Sequence, residues 1–392
     1  MNYILFDGPN RDALKPLTFT RPVADLRIGG STIREKYELL LGSTTSTITE
    51  DYLANRYPMV EFELNILIDS SFVATEELCD AIAALKENEK LVYNDRLVAF
   101  FLKEGQEPDL EHFTAVEFSA NLIEIKAPYD LFAFNDQVSR LDFDRMTADR
   151  TSQEIDSSNR VLGAHQVFIE EGASVRLSTI NAETGPVYIG KDALVMEGSL
   201  IRGPLFLGEG SVLKMGAKIY GPVSVGPKCT LGGEIKNSVI FGYSSKGHEG
   251  YLGDSVLGQW CNLGADTNNS NLKNNYAEVK LWDYETERFQ ATGHQFCGLI
   301  MGDHSKCGIN TMFNTGTVTG VAANIFGAGY QRNFIPSFAW GGSGKFITYR
   351  MNKVTETAEL VMKRKGQSFD ADEAVILEAV FEETSAFRNW EK

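Results

Sequence analysis

From Ile189 onward, an aliphatic side chain recurs at every sixth position of the chain. The first series of these positions comprises Ile189, Val195, Ile201, Leu207, Leu213, Ile219, Val225 and Leu231. Small or apolar residues follow four positions after most of them, as at Ala193, Ser199 and Ala217. A period of six matches neither the 3.6-residue period of an amphipathic helix nor the alternation of a half-buried strand. It predicts a triangular parallel β-helix, in which each side is one short strand and the aliphatic side chain points inward.

A second tract resumes the same spacing after an interruption. It comprises Leu257, Leu263, Met301, Cys307, Phe313, Thr319 and Ile325. With a weaker prelude over residues 169–179, the repeats extend from about Val161 to about Gly342. The interruption, from Asn268 to Leu299, is rich in asparagine but also carries Trp282 and Tyr284. It therefore predicts an ordered loop that projects from the β-helix.

The segments on either side of the repeats follow other patterns. Residues 1–150 alternate strand-like runs with helical ones, which is typical of an α/β domain. The strand-like runs are Tyr3–Phe6, Asn65–Ile68 and Leu97–Leu102, and the helical runs are Thr32–Leu41, Thr75–Leu85 and Asn135–Asp144. Beyond the repeats, Thr355–Lys365 and Ala371–Phe387 predict helices that cap the open end of the β-helix. We therefore expect an α/β domain over residues 1–150, a β-helix over 160–345 and a helical cap over 346–392.

Composition and charge narrow the classes of partner. Of the 392 residues, 43% are hydrophobic and 23% are charged, a balance that is typical of a globular protein. We expect no membrane partner, because no run of 18 apolar residues occurs, and a cytoplasmic location, because no basic and apolar leader opens the chain. The formal net charge of −16 argues against nucleic acid as a partner. The five cysteines form no Cys-x-x-Cys pair, which favours buried free thiols over disulfides or a structural zinc site.

A turn after the first strand-like run carries several cations. Gly8, Arg11, Lys15 and Arg21 lie between that strand and the helical run that begins near Thr32. A glycine and nearby cations that follow a strand are able to cradle phosphate groups. The stretch has few glycines, so a structural loop with solvated cations is the alternative interpretation.

The most specific feature is the segment Lys246-Gly247-His248-Glu249-Gly250-Tyr251-Leu252-Gly253-Asp254, followed by Asn262-Leu263-Gly264-Ala265. It resembles the acetyltransferase core of the bifunctional GlmU family, in which glucosamine-1-phosphate N-acetyltransferase is joined to N-acetylglucosamine-1-phosphate uridyltransferase. The resemblance is strong over residues 185–330 and weaker over 1–150. It implies a left-handed β-helix, acetyl-CoA as the acetyl donor, a sugar phosphate as the acceptor, and a homotrimer with sites between neighbouring β-helices.

The resemblance also implies roles for single residues. His248 corresponds to the general base that removes a proton from the attacking sugar amine, a role for which histidine is well suited. Lys236, Tyr251, Asn262 and Asn271 correspond to residues that contact the sugar phosphate, and Ala265 and Gly327 to residues that line the coenzyme A groove. Leu272 stands where the family has a tyrosine, and the loop that follows is longer, so the acceptor sugar stays open. His304, at an outward hexad position, is expected on the surface or in the groove.

Residues 1–150 resemble a shortened nucleotidyltransferase domain. The resemblance implies that the loop with Arg11 and Lys15 binds a nucleoside triphosphate, and that Asp69 and Asn135 hold Mg²⁺. Most glycines of the family's loop are missing here. Three hypotheses therefore stay open: a bifunctional sugar-nucleotide enzyme, an acetyltransferase with a degenerate N-terminal domain, and a non-catalytic repeat scaffold that binds sugar nucleotides.

Overall fold

The chain divides into two compact units. The computed structural model describes residues 1–391, and Lys392, the last residue of the predicted helical cap, lies outside the described residues. The first unit comprises Met1–Leu14, Thr20–Leu26 and Ser31–Ala127, and the second comprises Lys15–Phe19, Arg27–Gly30 and the chain from Pro128 onward. The predicted boundary near residue 150 differs from this division, because residues 128–150 pack within the second unit.

The first unit is built around a mixed β-sheet. In spatial order its strands are Thr45–Ile48, Asn2–Phe6, Leu64–Asp69, Arg96–Lys103, Glu89–Tyr93 and Thr114–Glu117. Its helices are α1 (Ile33–Leu41) and α2 (Glu76–Ala83). The predicted capping box is present at α1, where Thr32 Oγ1 accepts a hydrogen bond from the Glu35 N–H at 3.1 Å. The α/β pattern predicted from the sequence is confirmed.

The second unit is a left-handed parallel β-helix of about ten turns, as predicted. The first face comprises Val167–Ile169, Val187–Ile189, Leu205–Leu207, Val223–Val225, Leu299–Met301, Thr317–Thr319 and Phe334–Ile335. The second face comprises Ser174–Val175, Leu194–Val195, Val212–Leu213, Thr230–Leu231, Ser245–Lys246, Asn262–Leu263, Lys306–Cys307, Asn324–Ile325 and Ala339–Gly341. The third face comprises Arg160–Leu162, Thr179–Asn181, Leu200–Arg202, Lys218–Tyr220, Asn268–Asn269 and Met312–Phe313. The longer strands Glu234–Ile240 and Tyr251–Leu257 run from the third face around a corner onto the first.

The hexad aliphatic residues line the interior of the β-helix, as predicted. Val195, Leu213 and Leu231 are buried and pair in register on successive coils. Burial of such ladders between stacked coils is the main source of stability in a repeat fold. Lys246 occupies the next position of the same ladder, in register with Leu231, and is buried although it is a lysine.

Helices α3 (Asp130–Ala133) and α4 (Asn135–Thr147) belong to the second unit. The outward aromatic rings of the first face, Phe168, Tyr188 and Phe206, stack with centroid distances of 5.4 and 5.3 Å. Phe143 and Met146 of α4 pack on this stack. Without α4 the stack would be an exposed apolar strip.

Helices α5 (Met351–Arg364) and α6 (Ala371–Glu383) confirm the predicted C-terminal helices. They follow the corner between the first and second faces. Lys365 Nζ, just after α5, donates to the Lys228 carbonyl at 2.8 Å, and the Phe381 ring of α6 lies 5.0 Å from that of Phe338. At the open end, the strand Phe346–Thr348 pairs antiparallel with the last coil.

His304 is buried at this helix-covered corner, so its predicted surface position is wrong. Its Nε2 lies 2.9 Å from Glu373 Oε1 of α6. Its ring lies 6.2 Å from that of Trp260, which in turn stacks on Tyr243 at 4.2 Å. The repeat spacing shows that a side chain points outward, but it does not show which helix packs over that coil.

The predicted loop between Asn268 and Leu299 is ordered, as expected. Its central part is an antiparallel hairpin of Lys280–Asp283 and Arg288–Ala291. Trp282 of this hairpin stacks on Phe334 of the first face with 4.2 Å between ring centroids. The aromatic residues of the insertion therefore fasten it to the β-helix.

The remaining structural expectations concern membranes and thiols. Within residues 1–391, no helix is both long and apolar enough to cross a membrane. All five cysteines are buried and free in the described chain, as predicted.

Candidate functional site

Stacked turns join the second face of the β-helix to the third, and we call this column the His248 corner. On successive coils it contains His248, Ala265, Ile309 and Gly327. Hydrogen bonds between neighbouring turns fix the stacking: the Asp266 N–H donates to Glu249 O at 3.0 Å, and the Asn310 N–H donates to Ala265 O at 2.8 Å. The structure thus brings the predicted general base and the predicted coenzyme A residues into one column.

The His248 corner is open to solvent. The His248 side chain is exposed, and Ile309 is 71% exposed. Gly327 adopts φ +109°, and a Cβ added there would meet nothing within 4 Å. An exposed aliphatic side chain next to a turn with free space gives an extended ligand both apolar contact and room.

A hydrogen-bonded network crosses the third face, from Tyr251 near this corner to the turn at Asn237 and Asp254 that leads to the first face. Asn271 Nδ2 donates to Tyr251 Oη at 2.9 Å and to Asp254 Oδ2 at 2.5 Å. Asn237 Nδ2 donates to the other oxygen of Asp254 at 2.6 Å. Because Asp254 is buried, these amides replace the hydration that its carboxylate loses. The network holds Tyr251 and Asn271, both predicted to contact the sugar phosphate, in fixed orientations.

Lysine side chains project from the same face. Lys236 Nζ lies 5.0 Å from the centre of the Phe296 ring, which belongs to the insertion. Lys218 Nζ lies 3.2 Å from Glu249 Oε2, next to His248 in the chain. The ammonium group of Lys236 contacts a neutral ring and keeps its charge available to an anionic ligand, whereas that of Lys218 is paired with Glu249.

The tyrosines of the third face stay protonated at neutral pH. Burial, and next the charge of Asp254, raises the pKa of Tyr251. Burial, together with the hydrogen bond to Glu234, raises the pKa of Tyr220 to about 12. These phenols therefore serve as neutral hydrogen-bonding groups at neutral pH.

Lys246 supports the His248 turn from inside the β-helix. Its Nζ donates to the carbonyl oxygens of Gly232 and His248, both at 3.0 Å. Burial lowers the pKa of Lys246 to about 8. A Cβ added at Gly233 would lie 2.7 Å from His248 O and 2.8 Å from Lys246 Nζ, so only glycine leaves room for this contact. The ammonium thus ties the His248 turn to the turn of the preceding coil.

Asn262 lies apart from the other predicted acceptor residues. It is exposed on the second face, in register with Ser245 and Lys306. Lys236 and Tyr251 lie on the third face. The predicted sugar-phosphate residues therefore occupy both sides of the His248 corner.

Sequence reasoning assigned no role to Asp254, Asn237 or Lys218. A signal for the first two was present, because Asn237, Asp254 and Asn271 follow one another at intervals of 17 residues. That interval is one coil of the β-helix, so the three polar side chains stack. Lys218 carried no comparable signal, because its partner Glu249 lies 31 positions away.

In the first unit, Gly8 and Asp69 meet where neighbouring parallel strands end. Phe6, two residues before Gly8, pairs in register with Asp69. A Cβ added at Gly8 would lie 2.3 Å from both carboxylate oxygens of Asp69. Asp69 Oδ1 accepts hydrogen bonds from the Ser71 N–H and hydroxyl at 2.9 and 2.7 Å, and burial raises the pKa of this carboxyl. The glycine turn and the acidic strand end predicted from the sequence are thus in contact.

The cations of the predicted phosphate loop are engaged within the protein. Arg11 Nη1 lies 2.6 Å from Asp7 Oδ2 and donates to the Arg21 carbonyl at 3.3 Å. Both arginines are buried. Lys15, which belongs to the second unit, lies 2.6 Å from Glu383 Oε1. These contacts fix the loop itself, and the phosphate cradle predicted there stays a prediction.

Asn135, predicted as a Mg²⁺ ligand, is hydrogen-bonded within the second unit. Its Oδ1 accepts hydrogen bonds from the Gly29 N–H and the Ser224 hydroxyl, both at 2.8 Å, and its Nδ2 donates to the Pro222 carbonyl at 3.0 Å. The side chain is fully buried, and both lone pairs of its oxygen are committed. Across residues 1–391, no cluster of three His, Cys, Asp or Glu side chains is arranged to hold a metal ion.

Parts of this chain are similar to known proteins. Residues 3–151 match the model of a family described as sugar nucleotidyl transferase. The bifunctional protein GlmU of Methanocaldococcus jannaschii is 34% identical over 87 residues, which are 22% of this chain and 21% of that protein. The bifunctional sugar-1-phosphate nucleotidylyltransferase/acetyltransferase of Sulfurisphaera tokodaii is 36% identical over 93 residues, 24% of this chain and 23% of that protein.

The chain therefore matches less than a quarter of the length of these curated relatives. Among solved structures, the UDP-N-acetylglucosamine acyltransferase from Campylobacter jejuni aligns with 60% of this chain and 83% of its own, at 15% identity and a TM-score of 0.30. The sequence matches support the resemblance to the GlmU family.

Proposed function

We propose that this chain transfers an acetyl group from acetyl-CoA to the amine of glucosamine-1-phosphate at the His248 corner. The observation that carries the proposal is the position of the exposed His248, in one column with the open turns at Ile309 and Gly327 and beside the Tyr251–Asn271 network. Relatives named as GlmU and as a nucleotidylyltransferase/acetyltransferase support the class of reaction.

In the proposed reaction, His248 accepts a proton from the sugar amine as its nitrogen attacks the thioester carbonyl. The new carbon–nitrogen bond forms, the carbon–sulfur bond breaks, and the departing thiolate takes the proton from His248. Lys218 and Lys236 attract the phosphate, while Tyr251 and Asn271 hydrogen bond to the sugar. Backbone N–H groups of the corner turns stabilise the charge that develops on the carbonyl oxygen.

A second candidate activity is nucleotidyl transfer by the first unit. It is favoured by the match of residues 3–151 to the sugar nucleotidyl transferase model. The predicted Mg²⁺ has an incomplete ligand set, because Asn135 is committed to the second unit and Asp69 already accepts hydrogen bonds from Ser71. The proposed reaction therefore includes no step that depends on a metal ion.

We also propose that the chain forms a homotrimer, as the GlmU resemblance implies. Light scattering should then give a mass three times that of one chain.

The decisive experiment supplies glucosamine-1-phosphate and acetyl-CoA and follows the release of free thiol. The parent protein is expected to release thiol, and the His248→Asn variant is expected to lose at least about a hundredfold in rate, the range for removal of a general base. His165→Asn is the matched control, because His165 is an exposed histidine elsewhere in the same unit. The control variant should retain the parental rate.

Added UTP tests the second candidate in the same sample. Pyrophosphate that appears after thiol release would support a bifunctional enzyme. Thiol without pyrophosphate would favour an acetyltransferase whose first unit does not turn over. No thiol with glucosamine-1-phosphate or any other amino sugar would contradict the proposed acetyl transfer and favour the binding scaffold.

A further inference from the structure

The carboxylates of Asp69 and Glu124 both lie close to the guanidinium group of Arg96. Arg96 Nη2 lies 2.9 Å from Glu124 Oε1 and 3.5 Å from Asp69 Oδ2. The Asp69 side chain is buried and that of Glu124 is 9% exposed, whereas Arg96 is one-third exposed. A guanidinium group therefore lies between an acidic strand end and a second carboxylate, which is where a divalent cation would bridge two such groups.

The two carboxylates also have contacts other than Arg96. Glu124 Oε1 accepts a hydrogen bond from Asn10 Nδ2 at 2.9 Å, and Glu124 Oε2 lies 3.1 Å from Lys126 Nζ. The Asp69 carboxylate is in contact with the backbone of Gly8. Mg²⁺ requires six oxygen ligands at about 2.0–2.1 Å in near-octahedral geometry and loses its water reluctantly. The paired charges of two carboxylates and two cations leave little electrostatic attraction for a further divalent ion.

Arg96 also retains hydrogen-bonding capacity. Its Nη2 is enclosed beside the two carboxylates, so a ligand can reach only the other nitrogens of the guanidinium group. A guanidinium group presents five N–H donors in a planar fork that matches phosphate oxygens. Arg96 and the exposed Lys126 therefore offer cationic donors at the end of the sheet where Gly8 turns.

We propose that Arg96 takes the place of the divalent cation in the first unit, so that this unit binds a nucleoside triphosphate without Mg²⁺. The nucleotide part rests on the second candidate activity proposed above. The cation part rests on the distances around Arg96 alone.

Binding of Mn²⁺ without nucleotide tests the cation part, with the free ion measured by electron paramagnetic resonance. The full-length parent is expected to leave Mn²⁺ free, whereas Arg96→Met is expected to bind it, because the Asp69 and Glu124 carboxylates are then unbridged. Arg176→Met is the matched control, since Arg176 is an exposed arginine whose nearest carboxylate, on Asp156, is 3.6 Å away. Tight Mn²⁺ binding by the parent, or none by a folded Arg96→Met variant, would overturn the inference.

Calorimetric titration with UTP tests the nucleotide part. The parent is expected to bind UTP equally in EDTA and in Mg²⁺, and Arg96→Met is expected to bind at least about tenfold more weakly in EDTA, as loss of a charged hydrogen bond implies. Binding by the parent that requires Mg²⁺ would also overturn the inference. If the parent binds no UTP in either buffer, the proposed nucleotide activity fails, while the Mn²⁺ result still decides the role of Arg96.

Discussion

Lys246 occupies a position at which the repeat otherwise buries apolar side chains. A buried ammonium group is costly because it loses its hydration, and the carbonyls of Gly232 and His248 compensate only in part. The lowered pKa of about 8 expresses this cost. Lys246 destabilises the core but holds the backbone of His248 in place. Its presence is therefore better explained by the proposed function of His248 than by a contribution to stability.

The pH dependence of stability provides a test of this buried charge. The unfolded lysine has a pKa near 10.4, so between about pH 8 and that value the unfolded chain binds a proton that the folded chain has released. Stability should therefore rise with pH in this window, by on the order of 3 kcal/mol in total. Denaturant titrations at pH 7 and pH 10 should show this rise in the parent relative to Lys246→Met. An identical change in both proteins would contradict the buried charge.

The same variant tests the contact with the His248 turn. Methionine suits an interior ladder position but cannot donate to the carbonyl of His248, so the imidazole is held less firmly. We expect Lys246→Met to lower kcat for acetyl transfer by about tenfold while KM for the sugar phosphate stays unchanged, because positioning acts on the reacting geometry. A parental kcat in a folded variant would show that Lys246 has no part in placing His248.

At the scale of elements, added helices decide which sides of the β-helix remain accessible. Helix α4 covers the aromatic stack of the first face, and α6 covers the corner with Trp260 and His304. The turns of the His248 corner, by contrast, expose His248 and Ile309. The proposed site thus lies on a corner whose turns are exposed, unlike the surfaces that α4 and α6 cover.

The contribution of α6 packing to stability can be measured by removing the Phe381 ring. Phe381 contacts Phe338 at 5.0 Å, so Phe381→Ala should destabilise the protein by about 2 kcal/mol, less than a fully buried phenylalanine would. Leu360→Ala on α5 is the control, because Leu360 is 64% exposed and should change stability by less than about 0.5 kcal/mol. Thermal unfolding of both variants measures the difference, and equal losses would mean that α6 is not anchored through this ring.

How far the sequence predicted these elements depends on the range of the interaction. The ladder of Val195, Leu213 and Leu231 was predictable because one residue type at a fixed period defines one inward face. The Thr32 cap was predictable because its partner lies three residues away. The position of α6 on His304 was not, since that contact joins residues 69 positions apart with no periodic signal. For the same reason the sequence could not show that Asn135 bonds to Ser224, 89 positions away.

At the scale of the whole molecule, the chain passes more than once from one unit to the other. Lys15–Phe19 and Arg27–Gly30 belong to the second unit, although they lie between segments of the first. We propose that the domain boundary lies near residue 127, where the first unit ends, and not near residue 150. The family model, which matches residues 3–151, follows the sequence relationship and not this division into compact units.

Fragments test this boundary. A fragment that begins at residue 128 retains α4, whereas one that begins at residue 152 exposes the Phe168, Tyr188 and Phe206 rings. We expect the shorter fragment to bind a hydrophobic fluorescent dye more strongly and to aggregate at a lower temperature than the longer one. Equal behaviour of the two fragments would support the boundary near residue 150.

The turns of the His248 corner are stacked at equal distances along the axis of the β-helix. Strands in a parallel sheet are about 4.8 Å apart. The column from His248 through Ala265 and Ile309 to Gly327 is therefore about 14 Å long. The length of an extended thioester donor bound along this column would determine which coil its far end contacts. Insertion of one whole coil between Ile309 and Gly327 would move Gly327 one spacing farther from His248 without disturbing His248, and acetyl-CoA should then lose its proposed contact with the Gly327 turn.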